Sequence, residues 1–123
     1  MAQRILAVDN EADLLALVRR GLEFYKYEVM IAVDGNEALQ MVRDESPDLV
    51  LLDIMMPKST GYEICRKMKQ DPGSANIPVI LMTARSPQLA MSASKESGAD
   101  DCIFKPFRID ELVSRIRALL PES

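Results

Sequence analysis

Leu49-Val50-Leu51-Leu52-Asp53 is the stretch on which the fold of this chain turns. Four consecutive apolar residues without polar alternation suit a strand covered on both faces, and a single carboxylate ends the run. Similar runs recur on either side. Ile5-Leu6-Ala7-Val8 and Val29 to Val33 precede it; Ile77 to Met82, entered through Pro78, and the shorter Cys102-Ile103-Phe104 follow it. Between the runs, apolar residues fall at helical spacing: Leu14, Leu15, Leu17, Val18 and Leu22 first, then Ala38, Leu39 and Val42. The second of these stretches opens on Asp34-Gly35-Asn36-Glu37, an acid at the N-cap with Glu three residues later. Ile64, Cys65 and Met68 come after a loop holding Pro57 and Gly61. Ser86-Pro87 then offers an N-cap and a first-turn proline to a fourth helix through Leu89, Ala90, Ala93 and Ser97, which Gly98 stops. Ile109, Leu112, Val113, Ile116, Leu119 and Leu120 form the last stripe.

Strands alternating with helices through short loops predict right-handed βαβ units and a parallel sheet covered on both faces. With 123 residues, no internal repeat and no linker, residues 1–123 are read as one domain. A composition of 48% hydrophobic and 28% charged residues excludes a disordered tail or a collagen-like fibre. The apolar runs are far too short to span a membrane, and no signal peptide precedes the first one. The expected location is therefore cytoplasmic, with no membrane partner. Fifteen basic against nineteen acidic residues give a net charge of −4 without a basic stripe, which argues against direct nucleic-acid binding. The chain has no histidine, which removes Ser-His and Cys-His catalysis. Cys65 and Cys102 lack metal-cage spacing and read as reduced, packed small hydrophobes.

In open α/β sheets ligands bind beyond the carboxyl ends of the strands, so the residues that follow each apolar run matter most. Asp9-Asn10-Glu11 follows the first run, Asp53 the third, Thr83 the fourth, and Lys105-Pro106 the fifth. Any one of these is an ordinary strand terminator; together they would place carboxylates, a hydroxyl and an ammonium on one edge. Oxygen donors without histidine or thiolate suit a hard cation, most simply Mg²⁺. A lysine and a threonine suit phosphoryl oxygens. An ionised aspartate can attack phosphorus once a metal relieves the charge repulsion. A bland alternative stands beside this one, in which Lys105 makes a structural salt bridge to Asp53 or Asp9 and no phosphate is involved.

In order, Ile5-Leu6-Ala7-Val8-Asp9-Asn10-Glu11, Leu51-Leu52-Asp53-Ile54-Met55-Met56-Pro57, Met82-Thr83-Ala84 and Lys105-Pro106-Phe107 resemble the receiver (CheY-like) domains of two-component response regulators. The likeness covers essentially the whole chain. It implies a flavodoxin-like (βα)5 fold of the doubly wound α/β class, with strand order 2-1-3-4-5. It implies that Asp53 accepts a phosphoryl group from a sensor histidine kinase or a phosphotransfer protein. Mg²⁺ would be held by Asp9, Asn10, Asp53 and the backbone carbonyl of Met55. Thr83 and Lys105 would take phosphoryl oxygens, and the Lys105–Pro106 bond would be cis. The surface of the fourth helix, fifth strand and fifth helix, including Lys95, Arg115 and Arg117, would meet a downstream effector protein. Catalysis would be limited to the domain's own phosphorylation and dephosphorylation. No output module follows the fifth helix in this sequence, which leaves open a freestanding receiver or a piece of a longer regulator.

Two positions depart from the family pattern. Asn10 stands where a second acid is usual, so Mg²⁺ is expected to bind more weakly. Glu11 could compensate by reaching in, but it is read instead as an exposed residue of the first helical turn, favoured there by the helix dipole. Cys102 stands where an aromatic usually couples to the threonine, so that coupling is expected to be muted; Phe104, on the same strand face, is read as core. Both departures raise the alternative of a pseudo-receiver, a docking module that is poorly phosphorylated. An aspartyl phosphatase would want an acid at Met55, and Asp9-Asn10-Glu11 would repel a flavin phosphate.

Overall fold

A computed structural model describes residues 2–55, 60–84 and 96–121. In chain order it contains β1 (Arg4–Val8), α1 (Ala12–Phe24), β2 (Glu28–Ala32), α2 (Gly35–Glu45), β3 (Leu49–Asp53), α3 (Gly61–Gln70), β4 (Val79–Thr83), β5 (Asp101–Phe104) and a C-terminal helix (Ile109–Leu119). The strands form one parallel sheet in the order β2-β1-β3-β4-β5, as the resemblance implies. Most of the expected fourth helix, with Lys95, lies outside the described residues. Its expected stop is present: Gly98 has φ +87°, a left-handed conformation that favours glycine.

The alternation of side chains along each strand divides the interior into two cores. Ile5 and Ala7 of β1, with Leu49 and Leu51 of β3, face α1 and the C-terminal helix, which contribute Leu15, Val18, Leu22, Leu112, Val113 and Ile116. Leu6 and Val8, with Val50 and Leu52, face α2 and α3, which contribute Ala38, Val42, Ile64, Cys65 and Met68. Every residue of β3 is therefore buried, which explains its unbroken apolar run. Burying one such leucine contributes roughly 1.5–3 kcal/mol. Leu17 departs from the expected stripe and is exposed. At 100° per residue it points away from the Leu15–Val18–Leu22 face, although its i+3 spacing from Leu14 fits a helix equally well. Val33 likewise lies past the end of β2 and is exposed.

The starts of α2 and α3 are closed by side chains. The Asp34 carboxylate accepts the Glu37 N–H at 2.8 Å, as the Asp-x-x-Glu pattern predicts, and the Thr60 hydroxyl accepts the Glu63 N–H at 3.3 Å. Asp34→Ala should destabilise the domain by about 1 kcal/mol in a thermal melt, with the native circular dichroism unchanged. At the opposite edge from the strand C-termini, the Lys69 ammonium donates to the Ile77 carbonyl at 2.8 Å and to Asp100 at 2.9 Å, while Asp100 also accepts the Val79 N–H. This staple fixes the entries to β4 and β5. Both cysteines are free and buried, and burial pushes the Cys65 thiol up, away from reactivity.

Candidate functional site

The register of the sheet brings the strand-terminal residues to one edge. Val8 pairs with Leu52, so Asp9 and Asp53 leave adjacent strands side by side. Asp53 pairs with Met82 and Thr83 with Phe104, which places Thr83 and Lys105 at the ends of the next two strands. Backbone bonds lock these ends: the Asp9 N–H donates to Ala32, the Ile54 N–H to Met82 and the Lys105 N–H to Thr83 at 2.7 Å. The Lys105–Pro106 bond is cis, as the resemblance implies.

Lys105 is the hub. Its ammonium lies 2.8 Å from Asp9 Oδ2, 3.4 Å from Asp53 Oδ1 and 3.5 Å from Glu11 Oε1. Asp9, Asp53 and Thr83 are buried at the sheet edge, whereas Asn10 and Met55 are exposed at the rim. The Met55 N–H donates to Asp53 Oδ1 at 3.3 Å, so this rim segment is tied to the carboxylate. Sequence reasoning missed two participants. Glu11 is exposed as expected, yet its carboxylate reaches back to Lys105. Gly61, expected in a loop, is the first residue of α3, and its N–H donates to the Ile54 carbonyl at 2.9 Å. A Cβ there would lie 2.9 Å from Asp53 C and from Ile54 Cα, so only glycine lets α3 start against the end of β3.

Burial, and then the charge of Asp9, push Asp53 up to about 6, against the opposing pulls of Lys105 and the Met55 N–H. Burial alone would lower Lys105, but the Asp9 hydrogen bond and the charges of Asp53, Asp9 and Glu11 outweigh it and hold the ammonium above its usual range. Lys105 is thus a fixed cation between carboxylates it does not fully satisfy. Two buried carboxylates side by side at the strand ends fit a hard divalent cation. Among the described residues no three acidic or thiol side chains form a complete metal cage. Much of the coordination sphere would then fall to water, which is the habit of Mg²⁺.

Cys102 and Phe104 lie on the same side of β5, facing the core of α2 and α3, with Cys102 buried and Phe104 half-buried. The arginines of the C-terminal helix part company. Arg115 reaches Asp101 on β5 at 2.9 Å, but Arg117 sits 5.6 Å over the ring of Tyr25, beside α1. Residues two apart on a helix point about 200° apart, so Arg117 does not share the surface expected for it.

Known proteins resemble this chain along its whole length. Response regulator MprA of Mycobacterium leprae is 44% identical over 117 residues, covering 95% of this chain and 50% of its own. The DNA-binding response regulator MtrA of Mycolicibacterium paratuberculosis is 42% identical over 120 residues, covering 98% of this chain and 52% of its own. The chain therefore spans about half the length of these curated relatives. The chemotaxis protein CheY4 of Vibrio cholerae superposes with a TM-score of 0.92 at 27% identity, over 98% of this chain and all of that one. No described helix is long and apolar enough to cross a membrane. The model of the response regulator receiver domain matches residues 5–117, and with the strand order and the Asp9–Asp53–Lys105 cluster already in place, the chain belongs to that family of two-component signalling domains.

Proposed function

We propose that Asp53 is the phosphoacceptor, that Asp9, Asn10, Asp53 and the Met55 carbonyl hold Mg²⁺, and that Thr83 and Lys105 bind the transferred group. The observation that carries this reading is the Lys105 ammonium suspended between two buried carboxylates, one at hydrogen-bond distance and the other at 3.4 Å. An Asp53 pushed up to about 6 is still mostly ionised at neutral pH, yet more basic than an ordinary aspartate. Its Oδ would attack the phosphorus of a phosphohistidine, and the P–N bond would break with its electron pair passing to the imidazole. Lys105 need only swing from Asp53 to a phosphoryl oxygen, keeping Asp9 as its anchor. Bound Mg²⁺ would neutralise the charge on the phosphoryl oxygens during transfer.

The partners in this reading are a sensor histidine kinase or phosphotransfer protein and, downstream, an effector protein meeting the surface around β5, with Arg115 on it. Residues 1–123 act as one cytoplasmic receiver unit whose chemistry ends with its own phosphorylation and dephosphorylation. A net charge of −4 keeps the domain itself from gripping nucleic-acid backbone. DNA binding, which the name of one relative carries, would belong to further chain.

Intact mass after exposure to a small-molecule phosphodonor tests the assignment. The chain should gain one phosphoryl group with Mg²⁺, none with chelator, and none as Asp53→Asn. No gain at any magnesium level would leave a docking module in its place.

A further inference from the structure

Glu11 is the one member of the Lys105 cluster with no role so far. It occupies the N-cap position of α1, yet its side chain makes no cap hydrogen bond. Its backbone N–H donates to Asp9 Oδ1 at 2.9 Å, which fixes its start point beside the buried acid. From there its carboxylate turns toward Lys105 and stands on the solvent side of the ammonium, with Asp9 and Asp53 on the buried side. The residue between the two acids, Asn10, is exposed and uncharged.

Charge then decides the matter. Three carboxylates around one ammonium leave two negative charges uncompensated, the complement of a divalent cation. Without Glu11 only one would remain. Hard cations held by few protein ligands and several waters respond strongly to the number of anionic groups around them. Resting on the metal reading above, we propose that Glu11 is a positioning residue that supplies the negative charge missing at Asn10, raising the affinity of the pocket for Mg²⁺ through its place beside Lys105. A carboxylate turned along the helix start would stand farther from the pocket and change helix stability more than cation affinity.

Titration calorimetry with magnesium chloride, on the full chain at constant ionic strength, separates these roles. Glu11 is exposed, so Glu11→Gln should fold. It should bind Mg²⁺ roughly three- to ten-fold more weakly, as expected for one charge several ångströms from a divalent ion in a largely aqueous setting. Asn10→Asp introduced into Glu11→Gln should bring the affinity back to within about two-fold of the starting chain. Unchanged affinity in Glu11→Gln overturns the proposal, and so does a loss that Asn10→Asp fails to restore. Asp9→Asn serves as the separate control. If Asp9→Asn loses Mg²⁺ while Glu11→Gln keeps it, the metal site stands and only the role of Glu11 falls. If Asp9→Asn binds Mg²⁺ as the starting chain does, the metal reading falls and takes this one with it.

Discussion

Gly61→Ala should destabilise the domain by about 3 kcal/mol and lower its melting temperature by roughly 10 °C, the largest loss expected from adding a single carbon. The added Cβ would be forced against the Asp53 carbonyl oxygen, and would lie 2.9 Å from Asp53 C and Ile54 Cα. All three are backbone atoms, so no side-chain rotation relieves the overlap. Either α3 backs away, giving up the Gly61 N–H bond to Ile54, or the end of β3 moves. The second response displaces Asp53 itself, so phosphoryl uptake should fall along with stability. A melting temperature within 2 °C of the starting chain would show that the helix start has room the structure does not grant it.

Asp53→Asn should move stability the other way. In metal-free protein with chelator, the variant should be more stable than the starting chain by about 1–3 kcal/mol at pH 7–8. The folded protein holds the Asp53 proton more tightly than the unfolded chain, with the group raised from 3.8 to about 6. Between those values the folded state binds more protons, so stability from this group is fully present below about pH 4. It is lost as pH rises through 6, and then stays lost. Asparagine carries no charge and bears no such cost, so the two stability curves should converge on acidification toward pH 4. A gap that stays constant with pH, or a variant less stable at pH 8, would mean that the pair with Lys105 already offsets the burial of Asp53.

The placement of the candidate site's edge was legible because the strands are short and buried on both faces. Once Leu49-Val50-Leu51-Leu52 is a strand, its next residue must emerge at the sheet edge, and the same holds for Asp9, Thr83 and Lys105. Side-chain reach is a different matter. Glu11 carries enough rotatable bonds to lie along the helix start or to turn back to Lys105, and nothing in its neighbours' identities chooses between them. Gly61 was misplaced because a glycine after Pro57 signals a turn as readily as a close approach. Leu17 and Arg117 went astray through helical phase. Spacing places residues on a helix but leaves the orientation of its buried face to the partner it packs against.

The sheet also acts as a partition. Since successive residues of β1 and β3 go to opposite cores, a substitution at Leu51 and one at Leu52 disturb different neighbours although they are adjacent in sequence. Changes on the two sides that lie well apart should therefore combine nearly additively. A lineage can accordingly remodel the side that carries α2 and α3 while the side that carries α1 and the C-terminal helix stays as it is. Descendants of one such domain can thus acquire new associates one face at a time, with the carboxylates on the shared rim left where they were.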